Sequence, residues 1–407
     1  MSTTEVRLFH VMTVPQTFVL LTGQASFMRR HGFSLTAVAS DGPYAAVFAA
    51  QERVDVLAVD MPRRITPVAD LVALQQLCRL LRDRRPQIVH AHTPKGGLLG
   101  MIAAWVCRVP VRIYHVRGLP LETATGVTRL LLGLSERVSC RLANRVFCVS
   151  HSLRDRIVTL GLVQGTKVLV PHAGSGNGVD AARAFNPDSM PSATRAERRL
   201  AWRIPATAPV VAFVGRLARD KGIIELSAAW AVLRQEYPDA HLVLAGPIDD
   251  VRETLPPAVL DSLNRDSRVH LLGLLKDARE VYASCDVVVH PSHREGFPNV
   301  PLEAAAMGLP VVTTLATGCR DAVIDGVTGA LVPVGDVGAL VAAMRRYLAS
   351  EALRGEHGNA GRQRALRDFA PDRIWATYLG EYQRMLAERG LPLPVAASAP
   401  DPLFQAM

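Results

Sequence analysis

Aromatic residues make up only 5% of the 407-residue chain, and no RNA-binding motif is present, so nucleic acid is not an expected partner. The six cysteines (Cys78, Cys107, Cys140, Cys148, Cys285 and Cys319) include no Cys-x-x-Cys pair. A zinc site is therefore not expected, and without a signal peptide the thiols read as reduced, in a cytosolic protein. The apolar stretch Gly96–Cys107 is closed by Arg108 and Arg112 and is shorter than the ~20 residues of a bilayer span. No internal repeat is present, and no Asp-x-Asp stands where a metal-bound diphosphate would need one.

What is there is a globular composition, 49% hydrophobic and 20% charged, in a chain too long for one ordinary core. Two domains of about 200 residues are the expectation. The charge is uneven. Residues 1–190 hold 22 Lys and Arg against 12 Asp and Glu, and the remainder holds 24 against 25. The basic half fits an anionic membrane surface or, equally, an Arg-rich solvated face.

Short apolar runs alternate with helical spacing almost throughout. Val6–Met12, Ser34–Ser40, Val54–Val59, Ile88–His92, Val111–His115 and Val146–Ser150 read as strands. Helical stretches follow to Arg30, over Asp70–Arg84, to Cys107, and over Gly126–Ala143. The rhythm breaks at Gly165–Asn186, rich in Gly and bounded by Pro187, then restarts with Val210–Gly215. Strands are expected at His241–Ala245, Val269–Leu272, Val287–His290 and Val311–Thr313. Helices are expected at Ile224–Glu236, Lys276–Ser284, Pro301–Met307, Val337–Leu348 and Asp372–Glu388. This alternation is that of βαβ units, an α/β class of two doubly wound Rossmann-like domains whose strand ends face a central crevice. The expected boundaries are 1–187 for the first domain and 188–370 for the second. A helix over 371–390 returns to the first domain, and a disordered tail covers 391–407.

Two constellations carry chemistry. In the first, Gly215 ends a strand and lets the chain turn, and Arg216 and Lys221 follow before a helix. Two cations beside a helix start suit a diphosphate, although solvated loop charges have the same look. In the second, Glu295 sits in the loop after His290, and Gly296, Phe297, Pro298, Asn299, Val300, Pro301 and Leu302 lead to Glu303. Pro301 suits a first helical position, which would put Glu303 in the first turn, either as a cap or as a ligand of sugar hydroxyls. The amides from about Asn299 to Leu302 are left for phosphate oxygens.

In this order the two constellations resemble glycosyltransferase family 4, which has the GT-B fold. Gly176-Asn177-Gly178-Val179-Asp180, Gly318 with Asp325-Gly326-Val327-Thr328-Gly329, and His90-Ala91-His92-Thr93-Pro94-Lys95-Gly96-Gly97 extend the likeness over about residues 5–385. The resemblance implies a nucleotide-sugar donor held by the second domain. Arg216 and Lys221 would neutralise its diphosphate, Glu303 would take the ribose, and Glu295 would hold the sugar near the amides of Phe297, Asn299 and Val300. Leu272 and its neighbours would face the base. Retention of anomeric configuration and independence of metal or other cofactor are implied, with UDP the expected nucleotide.

Two segments depart from the family pattern. The loop after the first strand, Thr13-Val14-Pro15-Gln16-Thr17, lacks a glycine pair, and Arg117-Gly118 stands where relatives carry His-Gly. Pro15, Thr17, His92, Lys95 and Arg117 are the candidate acceptor-side residues. His92 also reads as a structural strand end, and Arg117 either as a donor contact or as an ion-pair partner within its own domain. Arg117 through Gly126 resembles the subgroup that acts on polyprenyl-diphosphate-linked saccharides in cell-surface polysaccharide assembly. That implies a lipid-linked acceptor and a peripheral place on the inner face of the plasma membrane. A nucleotide-sugar 2-epimerase of the same fold and a catalytically inactive nucleotide-sugar-binding scaffold are the alternatives.

Overall fold

The computed structural model describes residues 5–64, 66–191, 193–249 and 253–395. The chain divides into two compact units. One comprises Met1–His172 together with Pro371–Met407, the other Ala173–Ala370. The first crossing point falls 15 residues before the expected boundary at 187. The reason lies in where the Gly-rich segment is held. Val179 N donates to Phe369 O at 2.9 Å, and Arg362 reaches Ala181 O and Asn186 Oδ1, so the segment packs within the second unit. The expected tail falls largely outside the described residues.

The first unit is built on seven parallel strands: β1 (Val6–Val11), β2 (Phe33–Ala39), β3 (Asp55–Ala58), β4 (Ile88–His92), β5 (Val111–Val116), β6 (Arg145–Cys148) and β7 (Val168–Leu169). Their order is β3-β2-β1-β4-β5-β6-β7. The reversal of strand order between β1 and β4 is the switch point at which such sheets collect ligand-binding loops. β1 and β4 are buried along almost their whole length, which is why they read as continuous apolar runs. The helix Pro371–Ala387 closes this unit by placing Ile374, Trp375, Tyr378 and Tyr382 in the same core as Leu8, Phe33 and Phe147. The expected single helical stretch to Arg30 is two pieces, a 3-10 turn at Pro15–Leu21 and a helix at Gln24–Arg30, broken at Gly23 with φ 75°.

The second unit has six parallel strands: β8 (Val210–Val214), β9 (His241–Ala245), β10 (Val269–Gly273), β11 (Val287–His290), β12 (Val311–Thr314) and β13 (Gly329–Val332), in the order β10-β9-β8-β11-β12-β13. β8 and β11 flank its switch point, and the loops after both carry the charged residues singled out above. Arg199, 1% exposed, fastens the helix Thr194–Ala201 to this unit. It donates to the carbonyls of Ser284, Ala206 and Ala208 and pairs with Asp286 at 3.0 Å. A buried guanidinium is tolerable because nearly all its donors are matched.

Candidate functional site

The loop after β8 turns at Gly215 and runs through a short 3-10 segment, Arg219–Lys221, into the helix Ile223–Glu236. Gly222 caps that helix with φ 73°, and a Cβ there would meet Pro291 O at 2.1 Å. Only glycine lets this loop lie against the loop after β11. Gly318 does the same from a third loop, because its Cβ would meet Gly296 O at 2.3 Å. Three loops at one end of the sheet are thus brought into backbone contact.

Lys221 and Glu295 meet there. Lys221 Nζ pairs with Glu295 Oε1, and the same oxygen lies 3.1 Å from His290 Nε2 and 3.0 Å from Ser292 Oγ. Burial alone would push the Glu295 carboxyl up. The hydrogen bond from His290 and the charge of Lys221 outweigh it and hold the carboxyl down at about 2. Among the described residues His290 Nδ1 is buried without a partner, so the Nε2–H tautomer, which leaves only a lone pair unmatched, is assigned from the geometry. His290 and Ser292 are functional candidates that sequence reasoning missed; their distances of five and three residues from Glu295 were the available signal.

Arg216 stands at the rim. One of its nitrogens pairs with Asp249, another lies 3.7 Å from Asp220 Oδ1, and the side chain remains 44% exposed. It is thus held over the loop and remains open to a ligand. Asp220 also receives Arg294 at 3.5 Å.

Glu303 is placed differently from expectation. The helix begins at Asn299, two residues before Pro301, and runs to Ala306. Pro301 is its third residue, still in the first turn, where the N–H that proline lacks would have no helical partner. Glu303 lies beyond the first turn, which removes the capping role. Tyr282 OH instead donates to its Oε2 at 2.8 Å, and burial raises the carboxyl against that bond. Phe297 rests 5.5 Å from the Phe369 ring, and Val300 and Leu272 pack on one apolar cluster of this unit. The Leu271–Gly273 step of β10 is irregular, and Gly246 N donates to Gly273 O at 2.8 Å.

In the first unit the acceptor-side candidates do not form one group. Pro15 is buried, and Thr17 donates to Val14 O of its own turn. Lys95 pairs with Asp70 at 2.7 Å and ties two helices together. His92 and Arg117 do meet, within an array the sequence did not reveal. Arg117 Nε lies 3.1 Å from His92 Nδ1, and His92 Nε2 lies 2.8 Å from His10 Nδ1. His90 bridges Tyr382 OH at 2.6 Å and His115 Nδ1 at 3.2 Å. Among the described residues no carboxylate pairs with Arg117, and its Nη2 has no partner. Burial, reinforced by Arg117, holds His10 down at about 3 and keeps His92 and His115 well below the usual histidine range.

Ring nitrogens of His10, His90 and His92 lie within 4.8 Å of one another, the spacing of a metal site. The donor set argues otherwise. Arg117 donates to His92 Nδ1, which puts the His92 proton on Nε2, the atom facing His10. A ligating histidine usually gives its second N–H to an acceptor and is not itself held by a cation. The array fits neutral imidazoles in two short hydrogen-bonded chains, His10–His92–Arg117 and His115–His90–Tyr382.

Residues 208–350 match the model "Glycosyl transferases group 1", and residues 21–174 match the "Glycosyl transferase 4-like domain". The capsular polysaccharide biosynthesis glycosyltransferase CapM of Staphylococcus aureus is 32% identical over 94% of this chain and 98% of its own. An Escherichia coli UDP-Gal:alpha-D-GlcNAc-diphosphoundecaprenol alpha-1,3-galactosyltransferase is 26% identical over 72% of this chain and 74% of its own. Among solved structures, Anabaena HepE in complex with UDP superposes with a TM-score of 0.78 at 20% identity, covering 93% of this chain and 100% of that one. With its two parallel sheets and a relative matched along nearly its whole length, the chain belongs to the glycosyltransferase 4-like family and has the GT-B fold.

Proposed function

We propose that the protein transfers a sugar from UDP to a polyprenyl-diphosphate-linked saccharide in the assembly of a bacterial cell-surface polysaccharide, with retention at the anomeric carbon. The second unit binds the donor and the first unit takes the acceptor. The observation that carries this is the Lys221–Glu295–His290 cluster, formed where the loops after β8 and β11 touch. It offers an ionised carboxylate for sugar hydroxyls beside a cation for the leaving diphosphate. The UDP-sugar and the diphosphoundecaprenol acceptor named for the E. coli relative, and the capsule role named for CapM, support the choice of substrates.

In this reading Arg216 and Lys221 stabilise charge as it develops on the departing diphosphate, which is electrostatic preorganisation. Glu303, held by Tyr282, receives the ribose hydroxyls. No divalent ion is required, because the fixed cations take its place. The protein works at the inner face of the plasma membrane; no helix among the described residues is long and apolar enough to cross one.

Incubation with UDP-sugars and a short-chain polyprenyl-diphosphate saccharide, with and without EDTA, tests the reading by product mass and anomeric NMR. Extension of the acceptor with retained configuration, unaffected by EDTA, is expected. Conversion of UDP-sugar without acceptor would point to an epimerase, and tight donor binding with no turnover to a scaffold. Full loss in EDTA restored by Mg²⁺ would overturn the metal-free mechanism.

A further inference from the structure

Arg117 is a cation set among neutral groups. It follows β5, and the groups that face it are His10, His90, His92, His115, Tyr378 and Tyr382. Burial holds the four imidazoles below the usual histidine range and the two phenols above theirs, so all six are uncharged. Arg199, buried in the second unit, pairs with Asp286 instead. A buried guanidinium without a carboxylate costs stability and calls for an explanation.

The imidazoles orient Arg117 without neutralising it. Its Nε donates to His92 Nδ1 at 3.1 Å, so His92 carries its hydrogen on Nε2 and donates to His10 Nδ1 at 2.8 Å. His10 then carries its hydrogen on Nε2. That atom and Arg117 Nη2 are both buried without a partner among the described residues. Two donors are left over, which is the complement of an oxyanion. Their place fits a ligand too. His10 lies on β1 and His92 ends β4, the strands that flank the switch point of the first sheet. Arg117 itself stays partly exposed, so an anion can reach it.

We propose that Arg117 anchors a second phosphate site, at the switch point of the first sheet, for a diphosphate other than the donor's. The identity of that diphosphate rests on the proposed function, in which it is the link between the acceptor's saccharide and its lipid. The donor's diphosphate has its own cations, Arg216 and Lys221, in the second unit. A phosphate oxygen accepting from Arg117 Nη2 makes a charge-assisted hydrogen bond and answers the unpaired charge at once. The acceptor is then recognised by its phosphates as well as by its sugar.

Calorimetric titration of geranyl diphosphate into the full chain saturated with UDP tests this, with geraniol as the control that lacks phosphate. Saturation with UDP keeps the probe off Arg216 and Lys221. Wild type should bind geranyl diphosphate and not geraniol. Arg117→Gln should weaken that binding roughly 10- to 150-fold, the loss of one charged hydrogen bond, and leave UDP affinity unchanged. Without ligand it should melt no lower than wild type, because it removes an unanswered buried charge. Arg117→Met, which fills the same space without a polar atom, serves in its place if the glutamine chain does not fold. Failure of wild type to bind geranyl diphosphate, or undiminished binding by a normally melting variant, overturns the proposal. So does a loss of UDP affinity in that variant, which would make the donor's diphosphate the anion. Binding is read without sugar transfer. A chain that binds geranyl diphosphate through Arg117 but extends no polyprenyl-linked saccharide would refute the acceptor and keep the site. Extension of that saccharide with unaltered kinetics in Arg117→Gln would do the reverse.

Discussion

His290 Nε2 lies 3.1 Å from Glu295 Oε1, and the imidazole is 3% exposed. Its main-chain oxygen is fixed in turn by Thr313 Oγ1 at 2.7 Å. The backbone at His290 is thus fixed, and the ring is held through Nε2, which faces the carboxylate that Lys221 also engages. We assign His290 as a positioning residue for Glu295.

Removing that N–H should be felt in turnover and not in nucleotide binding. A hydrogen bond to a charged group contributes ~1.5–3 kcal/mol, so His290→Ala should lower kcat by roughly 10- to 150-fold. His290→Gln, which can restore an N–H at the same place, should recover much of the loss. Equal losses in both variants with a lowered melting temperature would reduce His290 to a packing role.

Glu303 is predicted to act on the other end of the donor. Glu303→Ala removes one charged hydrogen bond, and free UDP should bind roughly 10- to 150-fold more weakly. Isothermal titration reads this directly. Wild-type UDP affinity in that variant would remove Glu303 from the ribose site and leave it only as the partner of Tyr282.

Glu136 makes stability fall with rising pH. Burial raises its carboxyl to about 7, against a hydrogen bond from Tyr114 OH at 2.8 Å. The folded protein keeps the proton to about pH 7, whereas the unfolded chain releases it near 4.5. Stability therefore declines between those values and levels off above them, by ~3 kcal/mol at most. Glu136→Gln keeps the acceptor for Tyr114 and needs no proton. It should melt higher than wild type at pH 8 and equally near pH 4.5. Parallel melting curves across that range would contradict the assignment.

Much of this molecule was legible in its sequence where local pattern and tertiary role coincide. β4, β9 and β11 are buried on both faces and stand at the residues their apolar runs indicate. Arg216, Lys221, Glu295 and Glu303 share one unit, because the motifs follow the two strands at its switch point. The helices Pro257–Arg265 and Glu351–Asp368 were not recognised, and the second is polar enough on average to hide its period. The boundary at His172 was missed because Arg362, nearly two hundred residues away, decides where the Gly-rich segment lies.

The site was read less completely, for the same reason. Each member of the His10–His92–Arg117 chain comes from a different strand or its following loop, and no spacing along the sequence relates them. Lys95 looked available until Asp70 claimed it. The helix starts at Asn299, two residues before the proline whose preference for a first helical position suggested a later start.

The central claim is that Glu295 serves the transferred sugar and not the nucleotide. The most direct measurement is UDP affinity and kcat for Glu295→Gln on one preparation, with its melting temperature as the control. An interaction that strengthens in the transition state costs turnover more than binding, so UDP affinity should stay within about twofold while kcat falls roughly 10²–10³-fold. A variant that melts normally and turns over at the wild-type rate would contradict the account.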